Sequence, residues 1–93
     1  EHRIVASWDR GNSIFERGNY GKDHRITFAG GQEIGASSAA SYGGNAGLAD
    51  PEQLLLAALS SCQMLTFLAV AANRGYVIDS YQDDAVCELG QNA

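Results

Sequence analysis

Few side chains among the 93 residues could carry covalent or acid-base chemistry: two cysteines, Cys62 and Cys87, two histidines, His2 and His24, and eleven carboxylates. Cys62 has the most unusual setting. It stands inside DPEQLLLAALSSCQMLTFLAVAANRG, Asp50 to Gly75, a stretch with no charge from Gln53 through Asn73. On a helix, Cys62 shares its face with Leu55, Ala58, Leu59, Leu65, Thr66 and Ala69. A dry surround of that kind favours the neutral thiol, whereas the thiolate is the nucleophile. The helix dipole offers no help, because its field acts over the first turn and Cys62 lies about three turns in. From the residues alone, two readings stand. Cys62 is packing material, as free cysteine commonly is, or it is a nucleophile activated by a cation brought from elsewhere. The candidate cations are Lys22, Arg25, Arg10 and Arg17, all in the N-terminal half.

The remaining chemistry-bearing residues point to structure. Cys87 in DDAVCELG alternates with Ala85 and Leu89 on an expected strand, which reads as a buried structural thiol. Two cysteines at this separation form neither a disulfide framework nor a metal site, and His2 and His24 lack ligand spacing. Gly30-Gly31 and Gly43-Gly44 are not followed by the lysine and hydroxyl residue of a phosphate loop. Asp83 and Asp84, adjacent on a strand, point to opposite faces and suggest a solvated edge. Trp8 and Tyr20 read as core or rim residues. No metal and no cofactor is expected.

Six Lys and Arg against eleven Asp and Glu give a formal net charge of −5 and a pI near 4.7. Such a surface repels phosphate backbones and anionic membranes, so neither nucleic acid nor membrane is an expected partner. No basic region followed by an apolar run opens the chain, which makes the cytoplasm, with reduced thiols, the expected location. A single domain spanning residues 1–93 would bury only about 60 to 65% of the surface that its unfolded chain exposes.

The expected elements are strands within residues 2–38, a loop at 39–49, a central helix at 50–74 and a strand at 80–89. In RIVASW, Ile4, Ala6 and Trp8 share one strand face, and Ile26 and Phe28 do the same in HRITFA. Gly30-Gly31 suits a two-residue turn leading into QEIGAS. SSAASYGGNAGLA, Ser37 to Ala49, reads as a mobile loop, lid or linker. Asp50 as N-cap, Pro51 at the first helical position, Glu52 at the positive end and Gln53 completing a capping box all start a helix at one point. Arg74 and Gly75 end it.

Leu54, Leu55, Leu56, Leu59, Met64, Leu65, Phe67, Leu68 and Val70 cover every direction of this helix, so it needs cover on all sides. A small sheet covers one. A second subunit, a C-terminal portion or both must supply the rest. A bilayer span is the rival reading, since the uncharged run reaches the roughly 20 residues needed. Against it stand the polar cluster Ser60, Ser61, Gln63 and Thr66, thin flanking anchors and the soluble-type cap.

The segment NAGLADPEQLLLAALSSCQMLTFLAVAANRG resembles the central helix of the OsmC/Ohr family, the osmotically inducible and organic hydroperoxide resistance proteins. The shared pattern is a Pro-Glu pair opening the helix, a Leu and Ala run, a small-small-Cys triplet with its cysteine ten residues after the glutamate, and a closing glycine. YGKDHRITFAGGQEIGASS resembles the first strands of one branch. The resemblance implies an α+β fold, with a small antiparallel sheet packed on a long central helix in an intertwined homodimer. It also implies a peroxiredoxin-like thiol peroxidase that reduces organic hydroperoxides in oxidative stress defence and is recycled by an external dithiol. By that resemblance Cys62 is the peroxidatic cysteine, and an arginine from the strand region, held by Glu52, stabilises its thiolate. Lys22 stands where this branch often has arginine, leaving Arg25 as the nearest guanidinium. Gln63 replaces a frequent histidine or phenylalanine. The family's resolving cysteine lies further on, in a second helix, so the chain looks like the first half or so of a family member. The alternative is a non-catalytic OsmC-like dimerisation or small-ligand-binding module.

Overall fold

A computed structural model describes residues 1–12 and 14–88. The chain forms two compact units, Glu1–Pro51 and Glu52–Ala93. The first is built on a three-stranded antiparallel sheet in the order β1-β2-β3, with β1 at Ile4–Ser7, β2 at His24–Phe28 and β3 at Glu33–Ala36. Ala6 pairs with Ile26 and Ile26 with Ile34, while Ile4 pairs with Phe28 and His24 with Ala36. Alternation therefore puts Ile4, Ala6, Ile26, Phe28, Ile34 and Ala36 on one face, with His24 at its end, and leaves Val5, Ser7, Arg25, Thr27 and Glu33 on the other.

The β2-β3 hairpin departs from the two-residue turn that its glycines suggest. Gly31 N–H donates to the Phe28 carbonyl at 2.9 Å and Phe28 N–H to the Gln32 carbonyl at 2.8 Å, so the loop is the three residues Ala29, Gly30 and Gly31. Gly31, at φ +95°, occupies the left-handed position that a three-residue hairpin requires.

The small-residue stretch after β3 is a loop closed on itself. Its ends are joined: Ala36 and Ala49 form a parallel bridge, and Ser37 N–H donates to the Ala49 carbonyl at 2.9 Å. Between them a 3-10 turn runs from Ala40 to Tyr42. The fully buried Ser37 accepts from Asn45 N–H through Oγ at 3.1 Å, and the Leu48 side chain lies against Gly35. Closed ends and internal contacts define an Ω-loop. Small residues are needed in its interior, because a Cβ placed on Gly44 would collide with the Ser38 backbone carbonyl.

The helix α1, Pro51–Asn73, has the bounds that its start and stop residues dictate and a length of about 35 Å. Its end is a complete Schellman motif. Tyr76 N–H reaches the Ala71 carbonyl at 2.9 Å and Gly75 N–H the Ala72 carbonyl at 3.1 Å, with Gly75 at φ +82°.

After the helix the chain turns back along it. Tyr81 meets Phe67, ring centroids 5.7 Å apart, and Ser60 Oγ donates to Asp83 Oδ2 at 2.6 Å. Ala85 joins Gln53, Leu56 and Ala57 around a shallow groove. Residues 81, 83 and 85 thus lie beside successively earlier turns, forming an antiparallel strap. The strand expected at 80–89 is corrected here: no strand forms over residues 80–88, because a strand needs a neighbour for its N–H and C=O groups. Residue 89 lies outside the described residues. Asp83 is exposed, as a solvated position would be, and is also the acceptor that pins the strap.

Candidate functional site

Cys62 sits midway along α1. The helix residues beside the strap, Gln53, Leu56, Ala57, Ser60 and Phe67, share one side. At about 100° per residue, Cys62 projects to the opposite side. Within the unit that holds α1, no described residue covers that side: Leu55 and Leu59 are each 60% exposed and Leu65 is 62% exposed, and Cys62 itself is exposed and free. The dry surround expected from the sequence is therefore apolar but open. A thiol so placed can be reached by a solute, and the leucines around it can hold the hydrocarbon part of one.

Glu52, in the first turn of α1, is half-buried. It lies about 15 Å along the rod from Cys62, too far for direct contact. The two cations expected to serve the thiolate belong to the first unit, and each has a partner there. Arg25 Nε lies 3.5 Å from Glu33 Oε1, on side chains 67% and 52% exposed. Lys22 Nζ donates to the Tyr42 carbonyl at 3.2 Å and stands 4.8 Å above the centre of the Tyr20 ring. Arg10 and Arg17 are exposed in the loop before β2.

Cys87, expected as a buried structural thiol, is exposed and free. The strap has passed the level of Cys62 by Asp83, which is tied to Ser60, and Cys87 follows four residues later. Among the described residues, no group of three or more His, Cys, Asp or Glu side chains could hold a metal ion.

A second constellation escaped the sequence reading. Trp8, Phe15 and Tyr20 converge from the end of β1 and the loop before β2. Their ring centroids are 5.8 Å (Trp8 to Phe15), 6.4 Å (Trp8 to Tyr20) and 5.1 Å (Phe15 to Tyr20) apart. Trp8 is locked by its Nε1–H donating to the Gly21 carbonyl at 2.9 Å. The three rings border a cavity of about 470 Å³ with Lys22, His24 and Ser38. The usable signal was the density of aromatic residues in a glycine-rich loop, beside a lone lysine.

Comparison with known proteins places these features in context. The model of a family described as OsmC-like protein matches residues 43–92. A solved OsmC-like protein of unknown function from Vibrio cholerae O1 biovar eltor is similar over 100% of this chain and 64% of its own, with 39% sequence identity and a TM-score of 0.92. The chain therefore spans 64% of that relative's length. No curated protein matches it.

Proposed function

Because the chain belongs to the OsmC-like family, we propose that it is a thiol-dependent peroxidase that reduces organic hydroperoxides at Cys62. The observation that carries this reading is the place of the thiol: a free cysteine at the middle of α1, ten residues after Glu52, in a chain of this family. In the proposed step the Cys62 thiolate attacks the terminal oxygen of the hydroperoxide. An S–O bond forms as the O–O bond breaks, the alkoxide takes up a proton and leaves as an alcohol, and Cys62 becomes a sulfenic acid. An external dithiol then reduces the sulfenic acid, giving its own disulfide, water and the regenerated thiol.

The leucine face around Cys62 supports a homodimer, since an apolar helix surface of this extent requires cover. By length and composition α1 could also cross a bilayer, with a mean hydropathy of 2.0 over its most apolar window. Ser60, Ser61, Gln63 and Thr66 at mid-helix favour a protein partner over lipid. In the assembled protein, Arg25 or Lys22 would hold the thiolate and Glu52 would orient the cation. A cytoplasmic setting suits a thiol that must be returned to its reduced form.

Consumption of cumene hydroperoxide in the presence of dithiothreitol tests the reading. The unaltered protein should turn the peroxide over, and Cys62→Ser should fall to the uncatalysed rate. Equal consumption by the two would refute it. A second reading, a non-catalytic ligand-binding module, is favoured by the partners that Arg25 and Lys22 already have within their own unit. It predicts no turnover by either protein.

A further inference from the structure

We propose that the cavity bordered by Trp8, Phe15, Tyr20, Lys22 and His24 is a binding site for a flat aromatic ring carrying one negative group, of the arene carboxylate class. The volume, about 470 Å³, falls within the range of small-molecule sites. Three rings on a wall, mutually tilted by 55°, 85° and 45°, present both faces and edges. A further ring can join them in the offset or edge-on contacts that aromatic groups prefer.

Charge selects the second feature of the ligand. The protein is acidic overall, yet among the described residues the side chains that line this cavity include Lys22 and no carboxylate. The Lys22 ammonium has three donors. One is used on the Tyr42 carbonyl, and the Tyr20 ring beneath it fixes its position. The other two can meet a carboxylate, whose second oxygen needs no protein partner in an open site. His24 completes the edge. Its Nδ1 faces the Lys22 carbonyl at 2.9 Å and so carries the proton that donates to it. This bond ties the histidine ring to the backbone of the residue that bears the cation.

Trp8 is the sole tryptophan, so intrinsic fluorescence reports this cavity directly. Titration of the purified protein with benzoate should give a saturable change in that signal. Benzyl alcohol, which keeps the ring without the charge, should bind about tenfold more weakly. Cyclohexanecarboxylate, which keeps the charge without the aromatic ring, should bind about three- to tenfold more weakly. Lys22→Met should weaken benzoate about tenfold and leave benzyl alcohol unchanged, with Lys22→Gln doing the same if the methionine variant fails to fold. Cys87→Ser, at a residue outside both the cavity and the thiol chemistry, should bind benzoate like the unaltered protein. A fluorescence change that fails to saturate, equal affinity for the three probes, or benzoate affinity indifferent to Lys22 would overturn the proposal.

Discussion

A sulfur atom attacks a peroxide only as the thiolate, so the proposed chemistry at Cys62 depends on a cation that its own helix does not carry. No Lys, Arg or His occurs from Pro51 through Asn73. Arg25 and Lys22 are the side chains to test. Whichever supports the thiolate should, when changed to Met, slow oxidation of Cys62 by cumene hydroperoxide about tenfold at neutral pH, because a close charge pair of modest burial is worth on the order of 1 to 2 kcal/mol. Stopped-flow measurement on both variants checks this, and two unchanged rates would remove the cation from the account. The place of Cys62 at the middle of the helix was legible in the sequence, because the start and stop signals bound the helix on either side of it. The tie between Arg25 and Glu33 was not, because it depends on strand register: Arg25 faces Gly35, and Glu33 is its diagonal neighbour. Nor was the exposure of Cys87, because the alternation around it predicts a strand that residues 80–88 do not form.

At the scale of elements, local signals placed the helix well and the connections poorly. Pro51 at the first position and Gly75 beyond the end mark the observed bounds within a residue, since both act through backbone geometry alone. The Ω-loop was hidden, because its closure rests on the bridge from Ala36 to Ala49 and on Asn45 reaching Ser37, contacts between residues far apart in the chain. Two substitutions test these elements. Gly44→Ala should destabilise the protein by at least about 2 kcal/mol, since its new methyl group meets the rigid Ser38 carbonyl. Gly75→Ala should cost about 1 kcal/mol, the strain of a side chain at φ +82°. Chemical denaturation of both variants measures the costs, and a Gly44→Ala protein as stable as its parent would show that the loop does not hold that contact.

The molecule as a whole is short of interior. Among the described residues only Ala36 and Ala71 are buried apolar side chains, while Leu55, Leu59, Leu65, Phe67 and Val70 on one helix remain exposed. An uncovered surface of this kind is a site of association. Analytical ultracentrifugation should therefore find a homodimer at micromolar concentration, and Leu59→Glu should shift it toward monomer, whereas a monomeric parent would contradict the proposed assembly. The need for cover was legible from the helix sequence, because its leucines point in every direction. The central claim, that Cys62 is the atom that reduces the peroxide, is tested most directly by trapping. Treatment with one equivalent of cumene hydroperoxide and then dimedone, followed by peptide mass spectrometry, should place the adduct on Cys62 and leave Cys87 unmodified. An adduct on Cys87 alone, or none on either residue, would contradict it.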